Sequence, residues 1–278
     1  MKNLNLVKKG VTHAGRFHTD DVLSAVLLKN LNPDIIFERV IKCDYDDTME
    51  DVIVFDVGNG EFDHHNMDKE LNDFGHPYSA FGKLWKAYGK ELLIKKGFTN
   101  IEDGFKLFNS SYVQKVDEGD NNGYIYVKNF VENKIITDFN PKWYEYEGNE
   151  NAFDQQFELA VKTAYHIFDN WLRLVYMKVE YDDIEKEIWF NALRKSENGI
   201  VILEKDINWR VFLKKYPVSN LKIVISKSAR EGYSVSSVDE KKLKISSSEY
   251  LIFTHHSGFM GIANTLEEAK LAAIKCII

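Results

Sequence analysis

The sequence predicts an α/β protein: a mainly parallel-sheet N-terminal domain with helices on both faces, and a smaller α+β C-terminal domain. Three observations carry this. The order strand, helix, strand, strand between Val7 and Phe55 is that of a mainly parallel sheet, whose strand ends commonly carry chemistry. The run Val52-Ile-Val-Phe55 is continuously apolar and stops at Asp56, followed by glycines, as a buried strand does where it meets a site. From Gly199 the helical periodicity gives way to short alternating runs, which mark a unit of different construction.

Taken in order, Val7 to Thr12 reads as a strand that runs into the loop Thr12-His13-Ala-Gly15-Arg-Phe-His18-Thr-Asp20-Asp21. Val22, Leu23, Ala25, Val26, Leu27 and Leu28 then recur at helical spacing until Asn30-Leu-Asn-Pro33 stops them. Thr19 or Asp20 can cap that helix, and two acids in a first turn suit its dipole, so capping is the plain reading of Asp20-Asp21. Ile35 to Ile41 is a second strand, Asp44 to Thr48 a polar connection, and Val52 to Phe55 a third strand. Gly58 and Gly60 let the backbone turn at positive φ close to a ligand.

Tyr78 to Tyr88 has a helical apolar face with Ser79 as N-cap, and Lys83, Lys86 and Lys90 read as its solvated side. His76, before Pro77, either closes the site or packs. A further helix from Glu102 leads into Val116-Asp117-Glu-Gly119-Asp120-Asn-Asn-Gly123. Asn140-Pro141 and Glu145 to Asn151 form a linker region. Phe153 to Val179 is one long amphipathic helix, with His166 structural. Strands follow at Ile200–Leu203, Leu221–Ile225, Tyr233–Val238 and Tyr250–Phe253, and a last helix is capped by Asn264 or Thr265.

Composition narrows the function classes. A net charge of −7 argues against a long non-specific nucleic-acid footprint, while a short anionic substrate at a cationic pocket stays allowed. No run reaches the apolar length of a membrane span and no signal-peptide core is present, which gives a cytoplasmic, membrane-free expectation. The two cysteines, Cys43 and Cys276, are far apart and outside any Cys-x-x-Cys pair, so neither a disulfide framework nor a thiolate zinc site is expected.

His13, His18, Asp20, Asp56 and His64 would gather at one edge of the sheet. Singly, each has a bland explanation as a packed or capping residue; together at strand ends they outline a metal site. Asp117, preferred to Asp120 because it ends the apolar pattern, supplies a last ligand. Two cations about 4 Å apart can activate water and clamp the attacking and leaving oxygens of an in-line displacement. Mixed imidazole and carboxylate ligands favour Mn²⁺ over an all-oxygen Mg²⁺ or Ca²⁺ site. Asp63 would orient His64, leaving His65 to face the scissile phosphate as a donor. Arg230, His255, His256 and the amides around Gly258 and Gly261 would bind substrate charge, the glycine loop being taken to precede a capped helix.

These motifs carry a resemblance. Thr12-His-x-Gly-x-Phe-His-x-Asp-Asp21, Phe55-Asp-Val-Gly58, Phe62-Asp-His-His65 and Val116-Asp117 through Gly123 are similar to those of the melanocyte-proliferating-gene exonuclease family. That family is in turn similar to the Asp-His-His (DHH) phosphoesterases, which include RecJ-type exonucleases and manganese-dependent inorganic pyrophosphatases. His255-His-Ser-Gly-Phe-Met-Gly261 resembles the family's C-terminal glycine loop, so the likeness covers nearly the whole chain. It implies a divalent-metal hydrolase of two-domain, DHH-like fold, acting as a 3′–5′ exonuclease on RNA or short oligonucleotides. Residue by residue, His13, His18 and Asp56 would hold one metal, and Asp20, Asp56, His64 and Asp117 the other, with Asp56 bridging. Two departures stand out. An extra residue, Asn121 or Asn122, precedes Gly123 and leaves Asp117 against Asp120 open; and Ile262 stands where a second glycine is common.

On this basis residues 1–145 form a metal-binding catalytic domain, 146–198 a linker with long helices, and 199–278 a substrate-binding domain. Two other function classes compete: a hydrolase of a small phosphate ester, dinucleotide or pyrophosphate, and a non-catalytic metal-binding scaffold. A homo-oligomer is compatible with all three.

Overall fold

The structure, a computed structural model, describes residues 2–46, 48–65, 69–124, 127–128, 130–149 and 151–278. Asp47 of the polar connection and Glu150 of the linker region lie outside the described residues. The chain divides into two compact units, Met1–Glu180 and Tyr181–Ile278.

The first unit is built on a three-stranded parallel sheet in the order β2-β1-β3, with β1 at Lys9–His13, β2 at Ile36–Val40 and β3 at Val52–Val54. Val11 lies opposite Val54, and Phe55 N–H donates to the Val11 carbonyl at 2.9 Å. Two residues further along that register, Asp56 comes abreast of His13. The sheet therefore delivers an imidazole and a carboxylate to its carboxyl edge from neighbouring strands.

Helix α1 (Thr19–Leu31) is buried on nearly every side, so its sequence shows no single apolar stripe. It packs on α2 (Ala80–Lys95), on α4 (Gln114–Asn122), on α5 (Val131–Thr137) and on β1. Helix α3 (Ile101–Phe108) passes through one π-helical stretch, Asn109–Val113, into α4. Trp85 of α2 stacks on Phe108 at 4.2 Å between ring centroids and on Phe105 at 5.4 Å, which locks these helices together.

The expectation of helices on both sheet faces is corrected. Ile53 and Phe55 face the helical core, whereas Val11, Val52 and Val54 are covered, among the described residues, by Val40, Cys43, Tyr45 and Val57. The reason is local: the β2-to-β3 connection must cross β1, and its residues 41–51 are short and too rich in acids to form an apolar helical face.

After the short α6 (Trp143–Tyr146), α7 runs from Ala152 to Arg194, 43 residues, well past the expected end at Val179. Phe157, Val161, Ala164, Phe168, Trp171 and Val175 bury its stripe in the first unit's core, while Trp189 and Ala192 belong to a core cluster of the second.

The second unit holds a mixed sheet in the order β4-β5-β6-β8-β7. Its strands are β4 (Ile200–Leu203), β5 (Ile223–Lys227), β6 (Tyr233–Ser237), β7 (Phe253–Thr254) and β8 (Met260–Ala263), with helices α8 (Trp209–Lys215) and α9 (Leu266–Ile277). β4 and β5 pair in parallel and the remaining pairs are antiparallel. Thr265 caps α9 by accepting from Glu268 N–H at 3.2 Å, while Glu268 reaches back to Thr265 N–H at 3.0 Å. No helix among the described residues is long and apolar enough to cross a membrane.

Candidate metal centre

Three connected clusters of possible ligands occupy the carboxyl edge of the parallel sheet: His13, Asp21 and Asp56; Asp56, His64 and His65; and His18, Asp20 and Asp120. Asp56 belongs to two of them. His13 Nε2 lies 3.3 Å from Asp56 Oδ2 and 3.2 Å from Asp21 Oδ2. His64 Nε2 lies 3.0 Å from Asp56 Oδ1, 3.2 Å from Asp120 Oδ2 and 3.7 Å from Asp20 Oδ2.

Local structure explains these positions. Asp56 takes φ 55°, and Asn59 (57°) and Gly58 (87°) also lie in the left-handed region, so the chain reverses sharply after β3. An Asp in that region costs of order 1 kcal/mol, a strain typical of functional sites. The reversal brings Asp63-His64-His65 back to Asp56, with Asp56 N–H donating to the Phe62 carbonyl at 3.1 Å. His13 closes β1, and the loop to α1 is held by buried Arg39, which donates to the Gly15 carbonyl at 2.7 Å and to Asp154 at 2.9 Å. Its guanidinium lies over the rings of Phe157 and Phe17, 4.6 and 5.5 Å from their centroids.

The charge balance of the centre is the physical reason to expect a cation. Asp20, Asp21 and Asp56 are buried, and Asp20 Oδ1 and Oδ2 and His64 Nδ1 have no hydrogen-bond partner. Leaving such groups unpaired costs several kcal/mol unless protons or metals bind. In the metal-free site, burial followed by Asp56 and Asp120 pushes Asp20 well above the usual carboxylate range. Burial opposes charge on His13, but Asp21 and Asp56 outweigh it and raise the imidazole to about 10. The same balance, with Asp56 and Asp120 as partners, raises His64. Burial likewise works against a charged Asp56, yet His13 and His64 draw it below the usual range. The donors fit a divalent ion: several acids and imidazoles, buried, converging and short of partners.

The structure brings His13, His18, Asp20, Asp56 and His64 together, and adds Asp21, whose place in the first turn of α1 by itself indicates only a helix cap. Asp21 does both: its Oδ1 accepts from His18 N–H at 3.0 Å while its Oδ2 faces His13. Asp117 is not in the cluster. Its carboxylate accepts from Ser79 N–H at 2.9 Å, Ser79 Oγ at 2.7 Å and Asn72 Nδ2 at 2.9 Å, and burial raises it to about 6 against the pull of those bonds. A Cβ at Gly82 would overlap this carboxylate, so the bare backbone of α2 makes its seat. Asp120, one turn further along α4, takes the place facing His64.

Asp63 engages His65 rather than His64. Its Oδ1 lies 2.7 Å from His65 Nδ1 and accepts from His65 N–H at 3.1 Å, because the two-residue spacing closes a tight local turn. Lys83, read as solvated, turns inward and donates to the Asp63 carbonyl at 2.6 Å.

In the second unit, the loop from His255 to Gly261 is a β7–β8 hairpin rather than a loop leading into a helix. His255 N–H donates to the Met260 carbonyl at 2.9 Å, and β8 pairs with β6 before α9 begins at Leu266. The α9 N-terminus is thus separated from the histidines by a strand. Gly258 takes φ 77° in the turn, whereas Gly261 is a strand position where a Cβ would meet Leu251. His255 and His256 stand with ring centroids 4.3 Å apart, and Arg230 is exposed in the β5–β6 turn.

A parallel-sheet α/β unit with paired acid–imidazole clusters at its strand ends defines a protein equipped to bind metal ions. Residues 9–251 match the MYG1_exonuc family, described as "Uncharacterised protein family (UPF0160)", and the chain belongs to it. Similar proteins include a MYG1 protein of Dictyostelium discoideum, 27% identical over 96% of this chain and 95% of its own. A MYG1 protein of Schizosaccharomyces pombe is 22% identical over 99% and 98%, and one of Chlamydia pneumoniae 25% over 72% and 64%. No solved structure matches the chain.

Proposed function

We propose that the protein is a divalent-metal-dependent phosphodiesterase, an exonuclease that shortens RNA or other short oligonucleotides from the 3′ end. The observation that carries this reading is the buried excess of carboxylate around Asp56, including Asp20, neither of whose oxygens has a hydrogen-bond donor. The name of the MYG1_exonuc family points the same way. His13, His18, Asp20, Asp21, Asp56, His64 and Asp120 are the residues to hold two ions, with Asp56 shared, and the mixed donors suit Mn²⁺. When bound, such a pair lowers the pKa of water and balances charge on the reacting phosphate.

The chain's own groups do the rest. Asp63 fixes the His65 ring through Nδ1, so its Nε2 is presented outward from a half-open position, oriented to contact the phosphate and pass a proton to the departing oxygen. Lys83 anchors the Asp63 backbone and so the direction of that ring. His255, His256 and Arg230 bind substrate charge in this reading.

Turnover of a 5-mer RNA, a chromogenic phosphodiester and pyrophosphate, side by side with Mn²⁺, tests the reading. Stepwise shortening of the RNA is expected. Turnover of pyrophosphate alone would support the small-substrate alternative, and none on any substrate would favour the scaffold.

A further inference from the structure

We propose that Arg16, Trp143 and Tyr144 form a subsite for single-stranded oligonucleotide beside the metal centre; this rests on the exonuclease reading and names how the substrate chain is gripped.

Arg16 sits in the loop between His13 and His18, exposed and without an ion pair among the described residues. The residues on either side of His18 are both tied to one downstream segment. Phe17 N–H donates to Asn140 Oδ1 at 3.0 Å and its carbonyl accepts from Asn140 Nδ2 at 2.8 Å, while Thr19 Oγ donates to Asn133 Oδ1 at 2.6 Å. The segment is therefore fixed to the chain immediately before and after His18. Three residues beyond Asn140, a span of about 10 Å at most, Trp143 and Tyr144 open α6.

Both rings are 65% exposed, and they meet edge to face at 5.7 Å. Tyr146, by contrast, leans on Phe153 at 5.1 Å. Large aromatic side chains ordinarily bury most of their area, so two adjacent ones left in water suit a partner with a flat apolar face. Nucleobases of a single strand have that face, and the strand's phosphates suit the unpaired guanidinium of Arg16. A duplex would keep its bases stacked inside and offer these rings nothing.

The test compares binding of a fluorescent single-stranded RNA 5-mer with that of an abasic phosphodiester chain of equal length, by anisotropy, with Ca²⁺ to hold back cleavage. Wild-type protein should prefer the base-bearing chain. The W143A/Y144A variant should lose about tenfold or more in affinity for RNA and keep its affinity for the abasic chain, whereas R16A should weaken both. Equal RNA binding by all three proteins overturns the subsite. So does conversion of a wild-type dimer to monomer in W143A/Y144A by light scattering, which would make the rings a self-association surface. Failure of wild-type protein to bind either chain would instead overturn the exonuclease reading on which the subsite rests.

Discussion

Asp117 and Ser79 are joined twice, the carboxylate accepting from the Ser79 backbone N–H at 2.9 Å and from its hydroxyl at 2.7 Å. Since Ser79 also caps α2 by accepting from Gly82 N–H at 3.1 Å, this pair fastens α4 to the first turn of α2 and sets where Asp120 points.

Asp117 and Asp120 should therefore fail differently when mutated. Asp117→Ala strands the Ser79 N–H and the Asn72 amide in the core and should cost about 1–3 kcal/mol of stability in the metal-free protein. Asp120→Asn should leave that stability unchanged or higher, because it removes a charge from a crowded acidic site, while weakening metal binding. Urea unfolding with metal titration measures both. Undiminished stability with lost metal in Asp117→Ala would make Asp117 the ligand.

Metal binding should release protons and strengthen with pH. His13, raised to about 10, carries a proton through neutral pH in the metal-free site, and Asp20 is held toward its protonated form by burial and its acidic neighbours. A metal must displace those protons, so apparent affinity should climb between pH 6 and 9 by about tenfold per pH unit for each proton displaced. Calorimetry in buffers of different ionisation enthalpy counts them. A pH-independent affinity would mean that the imidazole is already neutral.

Adjacent histidines should separate binding from turnover. His64 points its Nε2 into the acids, whereas His65 is held by Asp63 and is 60% exposed. His64→Ala should lose metal. His65→Ala should keep metal and lose on the order of 100-fold in kcat. Metal retained in the first variant and lost in the second would reverse the assignment.

Much of this centre was legible because its signals are local. Val52 to Phe55 ending at Asp56, and the loop from His13 to Asp21 between an apolar strand and an apolar helix, each announce a strand end in one stretch of sequence. The choice between Asp117 and Asp120 was not legible, since the two lie three apart on one helix and the decision is made by Ser79 and Asn72 from distant segments. Asp21 was hidden by its second role as a cap. The hairpin at His255 looked like a loop before a helix because β8 is only Met260–Ala263, and its strand character comes from pairing with β6 rather than from its own residues. The covering of one sheet face by Val40, Cys43, Tyr45 and Val57, with no helix there among the described residues, follows from the acid-rich composition of the β2-to-β3 connection.

The shared position of Asp56 is the core of the account, and metal analysis by inductively coupled plasma mass spectrometry, on wild-type protein and Asp56→Asn after Mn²⁺ loading and gel filtration, tests it most directly. Wild-type protein should retain two ions per chain, and Asp56→Asn should weaken both and retain close to none. One ion lost with the other bound at full strength, or both retained, would contradict a carboxylate shared between them.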